Sequence, residues 1–171
     1  SSTSRGLGDV YKRQILRHAK SSWDNINLSD FERPLAKRGI NDANTMCDYL
    51  SKNSFSVDKV LCSNATRTKE TFDIISDGIK FNISDARYTD DLYFKGIDKI
   101  LSYLRSIDEE TKSILIIGHN PTLHFLVETL TKEHIHKFAT CNMAIINFNN
   151  NWKNLCEGEC KLELVIRPKE I

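Results

Sequence analysis

Apolar residues along the chain fall into two kinds of grouping. Short, nearly continuous runs occur at 15–16, 60–62, 114–117, 143–146 and 162–166. The run at 113–118, SILIIG, is unbroken and brief, the pattern of a strand covered on both faces. Between these runs the apolar positions return every three or four residues. Ala43, Met46, Cys47 and Leu50 share one face and predict a helix over 35–50, with Pro34 near its start. A second helix is predicted over 65–75, ending near Gly78. A third covers 96–107, with Ile97, Ile100, Leu101 and Leu104 on one side. A fourth covers 121–130, with Pro121 as its first residue. Residues 57–63, 143–148 and 161–167 read as strands, and 81–94 as a weaker extended segment and loop. Strands alternating with helices predict a three-layer α/β/α sandwich with a largely parallel central sheet. The chain contains no internal repeat, low-complexity tract or linker.

The first fourteen residues, SSTSRGLGDVYKRQ, break the pattern. They have no initiator methionine and no hydrophobic period, and they are basic where a strand should gather apolar residues. The expectation is a non-native leader at 1–14 followed by a single domain at 15–171, with only Ile15 and Leu16 left of the first strand. Lys12 and Arg13 would be costly in a central strand unless they reached out at its end.

Composition narrows the partners. Against 24 Lys and Arg stand 23 Asp and Glu, so the net charge of +1 gives no global field for nucleic acid or an anionic membrane. Any basic site must be local. No apolar run approaches the roughly 18 residues of a membrane span, and no secretion signal is visible, so a cytoplasmic location is expected. Five cysteines without a CxxC pair fit reduced thiols better than a disulfide framework.

Ligands of a parallel sheet bind beyond the carboxyl ends of its strands. Arg17 and His18 follow the first apolar run, Ser63 and then Arg67 follow the second, and His119 and Asn120 follow SILIIG. Two arginines and two histidines are thus delivered to one rim. Such cations repel one another unless an anion lies between them, and guanidinium forks suit phosphate oxygens.

LRHAKSSW, SNATRTKET and IIGHNPTL, in this order, resemble the histidine phosphatase superfamily. RHAKSSWD, FERPLAKRG, HNPTL and the short length resemble its SixA-like phosphohistidine phosphatase branch. The resemblance spans residues 15 to about 166. It implies that His18 is the nucleophile, passing through a phosphohistidine intermediate, and that Arg17, Arg67 and His119 form the phosphate pocket, with no metal or cofactor. An unperturbed imidazole titrates near 6.5, and neighbouring cations favour its neutral, reactive form. For ester substrates the superfamily places an Asp or Glu as general acid, for which Asp90 and Asp91 are the candidates. A leaving imidazole needs such an acid less, which favours a P–N substrate. Short connections leave the pocket open, which suits a phosphorylated side chain of a protein such as a histidine phosphotransfer domain. A small phosphorylated metabolite and a noncatalytic phosphate-binding module are the alternatives.

Other residues carry blander expectations. Ser63 and Thr68 read as helix caps, and Trp23, Phe31 and Trp152 as packing residues. His134 and His136 read as an exposed loop or edge rather than a metal pair. Asp24 is left out of the phosphate set because its charge would repel the ligand. Arg33 either adds a charge at the rim or pairs with a nearby carboxylate.

Overall fold

Side chains along the central strands alternate between the two faces with a period of two and divide the core into two layers. The computed structural model describes residues 11–171. Strand β1 (Tyr11–Arg17) sends Ile15 to one layer and Leu16 to the other, and β4 (Ser113–Gly118) splits Ile114 and Ile116 from Leu115 and Ile117 in the same way. Such strands must be covered twice, and helices lie on both faces. Helices α1 (Lys37–Lys52) and α2 (Thr66–Ile75) cover one face through Met46, Leu50, Phe72 and Ile75. Helices α3 (Asp98–Arg105) and α4 (Thr122–Thr131) cover the other through Leu101, Leu104, Leu126 and Leu130. Each such Leu or Ile contributes roughly 1.5–3 kcal/mol by leaving water.

The remaining strands are β2 (Lys59–Ser63), β3 (Arg87–Thr89), β5 (Met143–Phe148) and β6 (Lys161–Ile166). The sheet order is β3-β2-β4-β1-β5-β6. The four strands at the β3 end run parallel, and β5 and β6 are antiparallel additions. This is the expected three-layer α/β fold with a largely parallel sheet. The predicted helices form with their ends moved by at most two residues. Helices α1 and α3 begin two residues later than the predicted ranges.

The first strand departs from expectation. It begins at Tyr11, not Ile15, and residues 11–14 pair in register with both β4 and β5. Lys12 reaches solvent and lies 3.9 Å from Glu163. Arg13 does not reach out. Its side chain is fully buried over the rings of Phe148 and Trp152, at 4.7 and 4.3 Å, with all three guanidinium nitrogens without a hydrogen-bond partner among the described residues. Residues 1–10, the rest of the predicted leader, lie outside the described residues.

One glycine matters for the rim. Gly39, in the first turn of α1, packs on the backbone of Lys20, and a Cβ there would overlap the Lys20 carbonyl oxygen. That oxygen accepts a hydrogen bond from Ala36 N–H at 2.8 Å. The start of α1 therefore clamps the segment that leaves β1, just past His18.

Candidate active site

The ends of β1, β2 and β4 open into a cavity of about 250 Å³, lined among others by Arg17, His18, Asp30, Arg33, Arg67 and His119. The backbone of its central residue is pinned from three sides. His18 N–H donates to Gly118 O at 3.0 Å, and Cys141 N–H bridges the carbonyls of Arg17 and His18 at 3.1 and 3.0 Å. Cys141 reaches both from a left-handed φ of 59°, a conformation the surrounding bonds must hold. Ala19 N–H donates to Thr71 Oγ1 on α2 at 3.0 Å.

The His18 ring is equally fixed. Nδ1 lies 2.7 Å from the carbonyl oxygen of Ala19, which can only accept, so Nδ1 carries the proton. Nε2 then presents its lone pair, and Arg67 Nε donates to it at 3.3 Å. Burial, reinforced by Arg67, Arg17 and Arg33 and only partly opposed by the Ala19 bond, pushes the imidazole pKa down to about 3. The ring is neutral throughout the physiological range.

His119, just past β4, sits 5.2 Å from His18, ring to ring. Its Nε2 lies 2.8 Å from Ser63 Oγ, and its Nδ1 is buried without a partner among the described residues. Burial first, then His18 and the arginines, lowers its pKa to about 3 as well. Phe94 stacks on this ring at 5.6 Å and Tyr93 meets it edge-on at 5.2 Å. Phe94 holds that place with a left-handed φ of 54°.

Arg67, in the first turn of α2, is almost wholly buried. Its Nη1 donates to Asp30 O at 2.6 Å and its Nη2 to Asp30 Oδ2 at 3.0 Å. The carboxylate also accepts from Tyr93 Oη and, through Oδ1, from Nε and Nη2 of Arg33. Burial works to raise the Asp30 pKa, but Tyr93, Arg33 and Arg67 together outweigh it and hold the group near 2. Arg33 in turn lies flat on Trp23 at 3.4 Å. Arg17 spends one nitrogen on Phe138 O at 3.2 Å while its Nε is buried without a partner among the described residues; burial and then Arg67 lower its pKa.

Three guanidinium groups and Lys20 against one carboxylate leave the cavity with three positive charges while both imidazoles are neutral. That excess suits a phosphoryl anion, with His18 Nε2 as the lone pair facing it.

The four residues expected at the rim, Arg17, His18, Arg67 and His119, come together. Asp90 and Asp91 do not line the cavity. Asp90 accepts from Asn64 at 3.0 Å, and Asp91 is held below its usual pKa by the Lys99 hydrogen bond and nearby Lys95, on the surface. The capping expectation holds only in part: Ala65, the N-cap of α2, has no side-chain bond of its own, but Ser63 Oγ accepts from Ala65 N–H at 3.2 Å. The same oxygen meets His119, whereas Thr68 Oγ1 donates to the carbonyls of Ser63 and Ala65. Trp152 and Phe31 pack as expected, Phe31 against Tyr93. Trp23 is not a packing residue, being 67% exposed at the cavity mouth. His134 is exposed and pairs with Glu128, and the five cysteines are free. Asp30 was missed. Its signal was the spacing Asp30-x-x-Arg33, which places both groups on one side of a single helical turn.

With this geometry in place, comparison identifies the class. Residues 14–92 match the family model of the histidine phosphatase superfamily (branch 1). An uncharacterized protein of Mycobacterium leprae (strain TN) is 32% identical over 82% of this chain and 91% of its own length. The chain belongs to the histidine phosphatase superfamily. Within it the similarity runs to the SixA branch: phosphohistidine phosphatase SixA of Escherichia coli (strain K12) is 28% identical over 88% of this chain and 95% of its own. A solved structure of the protein histidine phosphatase SixA complexed with tungstate has the same fold, with a TM-score of 0.81 at 23% identity, covering 93% of this chain and 98% of that one.

Proposed function

We propose that the protein removes phosphate from phosphohistidine in a partner protein, with His18 as the nucleophile. The observation that carries the reading is the His18 ring: Nδ1 is committed to Ala19 O, so Nε2 is an unprotonated lone pair set among Arg17, Arg67 and His119. Nε2 forms a bond to phosphorus as the bond from phosphorus to the substrate imidazole breaks. The departing nitrogen keeps that electron pair and the ring leaves protonated. Arg17 and Arg67 hold the equatorial oxygens in line, where positioning and charge lower the barrier most. Water then attacks the phosphorylated His18, the P–Nε2 bond breaks with its electrons returning to nitrogen, and orthophosphate leaves as the water proton passes to solvent.

The cavity also favours a P–N over a P–O substrate. Asp30 is the one carboxylate among its lining residues, and its pKa near 2 keeps it ionised, unable to protonate a departing alkoxide. A leaving imidazole has no such need. The test is phosphate release from a phosphohistidine-bearing protein, without added metal, by the wild type and by His18→Ala. Release by the wild type, loss in the variant and an acid-labile phosphoryl adduct on the His18 peptide by mass spectrometry are expected. Undiminished release by His18→Ala would overturn the reading.

A further inference from the structure

Beside the catalytic cavity lies a second groove of about 370 Å³, within the range of small-ligand clefts. The two share Arg17, Lys20 and Thr140, so they are continuous. The groove gathers its other cations from distant parts of the chain: Arg38 from α1, Lys137 from the loop before β5, and Arg167 and Lys169 from the segment after β6. Six cationic side chains there face two carboxylates, Asp42 and Glu170, an excess of four charges in a protein whose net charge is +1. The carboxylates compensate weakly. Asp42 lies 4.0 Å from Arg38 and Glu170 3.9 Å from Arg167, both partly or wholly exposed. Lys20, Lys137 and Lys169 have no carboxylate within ion-pair distance among the described residues.

Concentrating like charges along one concave surface costs self-repulsion that an anion relieves. We propose that this groove is a second anion subsite, which takes a negative group carried by the same substrate as the phosphoryl group at His18. The ligand chemistry is carboxylate or phosphate oxygen. Arg17, with its guanidinium between the two spaces, links them: the phosphoryl group sits on one side of it and the second anion on the other. The inference rests on the phosphatase reading for its catalytic side, but binding at the groove is measurable without turnover.

The test is calorimetric titration with orthophosphate and with inorganic tripolyphosphate, on the wild type and on the double variant Lys137→Gln/Lys169→Gln. Both lysines are exposed and outside the catalytic cavity, so folding is preserved. Tripolyphosphate is expected to bind the wild type about tenfold more tightly than orthophosphate. The double variant should lose that advantage with its orthophosphate affinity unchanged. Equal affinities of the wild type for the two anions, or an advantage that survives the double variant, would overturn the subsite. Two phosphohistidine peptides, one with flanking Glu and one with Gln in its place, identify the source. A KM about tenfold lower for the acidic peptide, at equal kcat, assigns the groove to acidic side chains of a phosphoprotein. An advantage confined to tripolyphosphate assigns it to a second phosphate on a small molecule. If neither peptide is hydrolysed, the phosphohistidine reading fails and the titration still decides the subsite.

Discussion

Asp30 grips Arg67 twice, accepting from Nη1 through its backbone carbonyl at 2.6 Å and from Nη2 through its carboxylate at 3.0 Å. This leaves Arg67 Nε aimed at His18 Nε2. The carboxylate thus positions the guanidinium, yet it also occupies part of the fork that a phosphoryl group needs. The two roles make opposite predictions. In Asp30→Asn, loss of the charge-assisted bonds, worth about 1.5–3 kcal/mol, should lower kcat roughly tenfold to a hundredfold. Removal of the negative charge should at the same time tighten orthophosphate as a competitive inhibitor. Parallel loss of kcat and of phosphate affinity would instead indicate that Asp30 only maintains the fold.

His18 and His119 are held neutral, with pKa values near 3 against about 6.5 in an unfolded chain. Between those values the unfolded state binds more protons, so stability falls as pH drops from about 6.5 towards 3. Two such groups give a slope of at most about 2.7 kcal/mol per pH unit. Urea unfolding at intervals between pH 7 and 4 should show it, and His119→Gln should remove about half. The imidazole NMR signals of both residues should stay flat from pH 8 to 5 in the native protein. A titration step near 6.5 from either ring would contradict the burial argument.

Gly39 touches the backbone of Lys20, two residues past the proposed nucleophile. Gly39→Ala forces α1 and that segment apart, at about 1–3 kcal/mol for overpacking. The loss should exceed that of Gly96→Ala, where φ is +76° but a Cβ meets nothing within 4 Å. Phosphatase activity should drop in the Gly39 variant, because the Ala19 carbonyl that fixes the His18 tautomer belongs to the displaced segment. Equal destabilisation by the two substitutions, with activity intact, would show that the contact at Gly39 relaxes freely.

Most of the architecture was legible because burial leaves a period in the sequence. SILIIG could only be a strand covered on both faces, and Ala43, Met46 and Leu50 could only be one side of a helix. Arg17, His18, Arg67 and His119 were legible because each follows an apolar run closely. The supporting groups were not. Asp30, Ser63 and Tyr93 act through contacts across 37 to 63 residues of chain, and no local period records such a meeting. Thr68 looked like a cap because hydroxyls near helix starts usually are. Here its hydroxyl donates to carbonyls, a choice made by the loop geometry of 63–65.

Arg13 is the least comfortable residue of the fold. It occupies a central-strand position that on β4 is filled by Ile114, its register partner. Burial pushes its pKa down to about 10, which leaves it charged at neutral pH with no hydrogen-bond acceptor for any guanidinium nitrogen among the described residues. Stacking on Phe148 and Trp152 offsets part of that cost, at roughly 1–2 kcal/mol for cation–π contacts out of water. Desolvating an unpaired ion costs several kcal/mol. Arg13→Leu should therefore stabilise the protein by about 2 kcal/mol, raising Tm by about 5 °C. Arg13→Lys, a charge that loses the flat stacking surface, should lower it. Kinetic constants of Arg13→Leu should stay within about twofold of wild type, since Arg13 does not line the catalytic cavity. A lower Tm for Arg13→Leu would mean that the two aromatic faces compensate the buried guanidinium fully. The basic start of the first strand would then be a fitted part of the core.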